Sequence, residues 1–220
     1  MLRLTYLFIL LLFCYACNTP YYTTVNNMSG QPATLTLSNG QVLTGKIQVN
    51  TFDNYSTIGN ISFAVGVNKA YTTYNLSEID YLFFNGSNYS VKNLKGNEMW
   101  GGNALRFIKE LTPSNSKLQL FEHETVFKDR EGKTIKETQL FVQLPGHSRD
   151  VYNAQSDKFI PNFDDKVSAY LADCPNVANL IKEKNKDFFY AFVNQGELRR
   201  KQVWMNIVNA YNNCKSYSNF

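Results

Sequence analysis

Apolar and polar residues alternate along most of the first two thirds of the chain, and the repeat lengthens toward a helical period near the end. Ala33-Thr34-Leu35-Thr36-Leu37 alternates strictly, and Asn39-Gly40 separates it from Val42-Leu43-Thr44-Gly45-Lys46-Ile47-Gln48-Val49. Asn-Gly between alternating runs is a strong hairpin signal, because a type I′ turn needs positive φ at both central positions. Further strands are predicted over 60–65, 70–76, 79–84 and 89–94, with Asn85-Gly86 turning between the last two. The pattern continues over 104–111 and 117–128. A charged turn, Asp129-Arg130-Glu131-Gly132-Lys133, leads to a return strand over 134–144 that Pro145-Gly146 ends.

From residue 161 the spacing is helical. Asp164 or Asp165 is placed to cap a short helix running through Leu171. Pro175 suits the first turn of a second helix, where its missing N–H costs nothing. Val177, Leu180, Ile181 and Phe188 then share one face. A third helix is predicted to start near Asn194 or Gly196, with Trp204, Ile207, Val208 and Tyr211 at i, i+3, i+4 and i+7. The expected class is α+β: an antiparallel β-rich body followed by two or three short helices. Its units would be a small β-barrel over 31–95, a β-meander over 96–160 and a helical unit over 161–220.

Leu37-Ser38-Asn39-Gly40-Gln41-Val42-Leu43-Thr44-Gly45-Lys46-Ile47, with Leu76-Ser77-Glu78-Ile79-Asp80-Tyr81-Leu82 later, resembles the pattern of small SH3-like or Sm-like barrels. There an Asn-Gly hairpin leads into a bent strand, and the closing strand opens with a polar residue before Ile. The resemblance implies a fold and nothing about a ligand, since no RNA-contacting residues of Sm proteins can be matched here.

The first residues have a different character. Arg3 gives a short positive start, and residues 4–13 are almost wholly apolar. That run is too short for a membrane span, which needs roughly 20 residues, and reads as a signal peptide over 1–16. It ends Leu12-Phe13-Cys14-Tyr15-Ala16-Cys17-Asn18. This resembles a bacterial lipobox, in which a small residue precedes the cysteine that becomes the lipid-bearing N-terminus, here Cys17. The implied product is held in a membrane by several acyl chains, which suffices for stable attachment. Residues 17–30 would be a polar tether. Asn18 after Cys17, with no Asp there to favour inner-membrane retention, points to the outer membrane.

With Cys14 removed and Cys17 lipidated, Cys174 and Cys214 remain, an even pair in an oxidising compartment. Placed at the start of the second helix and the end of the third, they meet if those helices pack antiparallel. A bridge would close a loop of about 40 residues, stabilising the fold by up to roughly 4 kcal/mol in the chain-entropy model. No CxxC accompanies either cysteine, so no metal site is expected.

The formal charge of +4 is modest, and with export it gives no reason to expect a nucleic-acid partner. Asn-x-Ser sequons at Asn27, Asn54, Asn60, Asn75, Asn85 and Asn88 follow from an Asn- and Ser-rich composition. The lipobox, β-rich body and helical tail ending in Tyr211-Asn212-Asn213-Cys214 together resemble uncharacterised envelope lipoproteins of the Bacteroidota. That resemblance implies residence in the cell envelope and supplies no reaction.

Candidate chemistry is thin. In Glu122-His123-Glu124 the two carboxylates point to one side of a strand and the imidazole to the other, so they do not converge on one ion. The expectation there is an exposed strand face. His147, Ser148 and Asp150 lie within Pro145-Gly146-His147-Ser148-Arg149-Asp150, read as a loop between sheet and helices. No GxSxG elbow occurs. Gly101-Gly102 matches no phosphate-loop pattern and no cofactor fingerprint is present, so no cofactor is expected. Glu197-Leu198-Arg199-Arg200-Lys201 reads as a solvated helix face, with contact to anionic headgroups as the alternative. Tyr71, Tyr74, Tyr81, Phe83, Phe84 and Tyr89 crowd the β-rich half, as core or as a binding surface.

The expected role is a non-enzymatic binding or assembly module, holding an envelope protein or glycan. Two alternatives remain open: a hydrolase of envelope polymers with dispersed carboxylates, or a carrier of a lipid or apolar ligand in a cavity of the β body.

Overall fold

The structure is a computed structural model that describes residues 24–49, 58–66, 69–95, 104–128, 131–191 and 196–214. The expected signal peptide, Cys17 and Gly101-Gly102 lie outside the described residues. No helix among the described residues is long and apolar enough to cross a membrane. The architecture is α+β. Among the described residues ten strands form one continuous sheet, and three helices follow.

The first unit consists of β1 (Met28–Leu37), β2 (Val42–Val49), β3 (Asn60–Val65), β4 (Thr72–Asn75) and β5 (Ile79–Phe84). A single 3₁₀ turn, Leu76–Glu78, precedes β5, which pairs back on β1, giving the order β5-β1-β2-β3-β4. The strand after the 3₁₀ turn thus closes back on the first strand, as the closing-strand motif predicts. Its inner face is apolar throughout: Leu35, Leu37, Leu43, Ile47, Ile61, Phe63, Ile79 and Leu82 alternate inward and form one cluster. Gly45 is required on β2, because a Cβ there would lie 2.0 Å from the Ala64 carbonyl oxygen.

The two Asn-Gly pairs behave differently. Asn85 and Gly86 have φ of 48° and 73°, the double positive of a type I′ turn. At the first pair only Gly40 is positive, at 84°, and its N–H donates to the Leu37 carbonyl. That turn is type I with a left-handed glycine closing it, so the predicted I′ turn is corrected here. The longer loop suits the Leu37–Gln41 closure it has to make.

The second unit contains the expected β-meander and adds a strand that closes it. β6 (Ser87–Lys95), β7 (Ala104–Glu110), β8 (Gln119–Lys128) and β9 (Thr134–Gln143) do run antiparallel in sequence. β10 (Asp150–Asn153) then pairs antiparallel with β9 and parallel with β6, closing a five-stranded ring. β10 begins inside the segment that the sequence placed in a loop. Four residues, Asp-Val-Tyr-Asn, carry too short an alternation to stand out locally. One edge of β6 serves both units: residues 87–90 pair with β5 and residues 93–95 with β10. A boundary at residue 95 therefore does not divide the body. Val91 belongs to the first core and Leu94 to the ring's.

The expected tether over 17–30 is also too long at its C-terminal end. Val25 is 8% exposed and Met28 1%, so the chain already lies in the core at residue 25.

The helices α1 (Phe163–Tyr170), α2 (Pro175–Lys182) and α3 (Glu197–Asn212) cover the outer face of β8 and β9. Trp204 sits at the centre of that layer. Its indole donates to the Tyr190 hydroxyl, which donates to the Ala154 carbonyl. Pro175 occupies the first turn of α2. Asn162, in a left-handed conformation, precedes α1, and the expected caps Asp164 and Asp165 sit in its first turn. Cys174 and Cys214 are joined in a disulfide, with Cα atoms 6.1 Å apart.

Candidate functional site

The outer face of β6–β9, on the side turned toward the first unit, floors a cleft of about 210 Å³. Strand register builds it. Tyr89 on β6 lies opposite Lys109 on β7, Lys109 opposite Glu122 on β8, and Glu124 opposite Thr138 on β9. Directly opposed residues share a face, so these side chains point the same way. The β5–β6 hairpin contributes Phe84 and Asn85, and the segment before β1 contributes Thr24 and Val25.

That N-terminal segment is fastened in an unusual manner. The Asn26 side chain donates to the Phe107 carbonyl and accepts from the Phe107 N–H, both at 3.0 Å. One side-chain amide thus substitutes for a neighbouring strand and sets the cleft's rim over β7.

Each carboxylate is held by a lysine. Glu124 pairs with Lys136 at 2.5 Å, and Glu122 pairs with Lys201 of α3 at 2.5 Å. Lys201 belongs to the basic run expected on a solvated face. Of that run, Arg200 also bonds Glu197 and Arg199 donates to the Lys186 carbonyl. The Lys109 ammonium makes no ion pair or hydrogen bond with any described residue. Burial, together with the charges of Glu124 and Glu122, pushes the Tyr89 phenol up, against a hydrogen bond from Ser87.

The Glu122-His123-Glu124 alternation is as the strand period requires, but the exposed-face expectation is corrected. His123 is 5% exposed and points into the ring, edge-on to Phe141. Burial, then the Arg106 guanidinium, lowers its pKa to about 4. Its Nδ1 has no hydrogen-bond partner among the described residues. His147, Ser148 and Asp150 are not brought together as a triad. Nδ1 of His147 lies 3.5 Å from the Tyr152 hydroxyl, and Asp150 accepts from Asn93. Asp164 and Asp165 pair with Lys184 and Lys182. Among the described residues no group of three or more His, Cys, Asp or Glu side chains could hold a metal ion.

The aromatic residues divide. Tyr74, Phe84 and Tyr89 pack against the first core. Phe83 and Tyr81 are 50% and 39% exposed. They stand beside Thr34 and Thr36 on β1, and Val42 lies across from Thr36 on β2, forming a flat, weakly polar outer face.

The sequence did not single out Lys109, Lys136 or Thr138. The available signal was their phase: each falls on the same side of its strand as a cleft-facing neighbour, but that phase means nothing until the register is known. No protein-family model, curated protein or solved structure matches the chain.

Proposed function

We propose that the chain is an exported envelope lipoprotein, anchored through Cys17 with the outer membrane favoured, whose β body is a non-enzymatic binding module for a glycan or protein partner. The observation that carries this reading is the state of the cleft's two carboxylates. Glu122 and Glu124 lie two residues apart on one strand, on the same side, each locked to a lysine. A catalytic pair of carboxylates faces each other across the bond that breaks. Two neighbours on one strand, each bound to its own lysine, approach a ligand from one side and not across it. Such fixed charges suit hydrogen bonding to a bound molecule. The flat face around Phe83 and Tyr81 adds a second surface of the kind used for contact.

The carrier reading draws less support. The ring interior is filled by Ile108, Phe121, Phe141 and their neighbours, and the outer cleft is lined largely by polar groups.

Two measurements test the proposal. Intact-mass analysis of the native protein should show a chain beginning at an acylated Cys17, and Cys17→Ser should release it from the membrane fraction. Incubation with isolated envelope glycan should retain the protein without releasing fragments. Fragment release that disappears in both Glu122→Gln and Glu124→Gln would overturn the binding reading in favour of a hydrolase.

A further inference from the structure

We propose that the β6–β9 cleft takes a single sugar-acid ring, with Lys109 on the ligand's carboxylate; this rests on the binding reading above and names its ligand class. The dimensions set the first limit. About 210 Å³ falls below the roughly 300–1,000 Å³ of pockets that enclose drug-sized ligands. One six-membered ring with its substituents suits the space.

The lining sets the second limit. Phe107 and Val25 are buried beneath the cleft, and Phe84 and Tyr89 are half-buried at its side. The half-buried rings of Phe84 and Tyr89 offer apolar surface to the C–H face of a ring. Around them, Thr138, Asn85 and the two paired carboxylates offer directional donors and acceptors for ring hydroxyls. Carboxylates accept hydroxyl protons in short, charge-assisted bonds. Their lysines keep them oriented and reduce their repulsion of an anion.

Charge sets the third. Glu122 is matched by Lys201 and Glu124 by Lys136, which leaves Lys109 as the cation without a described partner. A half-buried ammonium with three donors is best completed by one negative charge. Because Glu122 is the direct cross-strand neighbour of Lys109, a dianion such as a phosphate ester would meet a carboxylate at close range. A monoanion meets less repulsion. One carboxylate on a hydroxylated ring satisfies size, lining and charge together.

The test is an NMR titration of the isotopically labelled full chain in detergent, with glucuronate, glucose and a short peptide bearing a free C-terminus. Glucuronate should shift the amides of Lys109, Glu122, Glu124 and Thr138 at millimolar concentration, more tightly than glucose. Lys109→Met should weaken glucuronate about tenfold and leave glucose unchanged, while Lys109→Arg should keep the preference. Equal binding of glucose and glucuronate, or Lys109→Met without effect, would overturn the sugar-acid assignment. Tighter binding of the peptide would overturn it in favour of a C-terminal carboxylate. No shift with any probe would remove the cleft as a site. If envelope glycan is still retained, the binding role survives that loss; glycan cleavage would end both.

Discussion

The two β units of this protein solve the same packing problem with different interiors. The β1–β5 unit fills its inside with aliphatic and aromatic side chains alone. The β6–β10 ring surrounds Ile108, Phe121 and Phe141 with Ser90, Arg106, His123 and Thr125, all nearly inaccessible to solvent. Inside the ring, Ser90 donates to Glu110 and Lys92 lies 5.1 Å from the centre of the Phe121 ring. An apolar interior is indifferent to pH. An interior holding an imidazole beside a guanidinium is not, because desolvation disfavours the charged form. The ring, whose outer face carries the cleft, is therefore the unit whose stability can be tuned by conditions.

The largest effect should come from the first unit's core. Phe63→Ala removes a fully buried ring and should cost about 3–5 kcal/mol in denaturant unfolding, with the same loss at pH 5 as at neutral pH. A loss that varied with pH would break the distinction between the interiors.

Next comes the bridge that ties the start of α2 to the end of α3. Reducing Cys174–Cys214 opens a 40-residue separation and should lower stability by up to about 4 kcal/mol. Native-state hydrogen exchange should rise first in α2 and α3 and least in β1–β5.

The pH response sharpens the comparison further. His123 has a folded pKa of about 4 against 6.5 when unfolded, so below pH 6.5 the unfolded chain binds a proton that the folded one refuses. The stability is complete above 6.5 and is lost as pH falls toward 4, by up to about 3 kcal/mol. His123→Gln should flatten that slope, whatever its effect at neutral pH. An unchanged slope in urea unfolding between pH 6.5 and 4 would show that another group carries it.

The smallest effect should follow Lys201→Met. Its pair with Glu122 is partly exposed, so global stability should fall by less than about 1 kcal/mol. Amide shifts along β8 should nevertheless report the loosened Glu122. No change on β8 would detach α3 from the cleft.

The strands and helices could be read from the chain because their periods are local. The alternation placed β3 and β5 at the residues where they lie, and Pro175 marked the start of α2. The disulfide was equally legible, since helix phase and cysteine count agreed. Closure of the ring was not legible. It depends on a four-residue strand pairing parallel with a segment some sixty positions earlier, which leaves no local trace. The burial of His123 follows from that closure, and so was misread as exposure.

Residue types and their spacing therefore settled which segments extend, which coil and which faces are apolar, because sterics and hydrophobic periodicity act over a few residues. Folding settled which strands became neighbours. Lys109, Glu122, Glu124 and Thr138 face one cleft only because hydrogen-bond register across β7, β8 and β9 put them abreast. That register is a property of the assembled sheet.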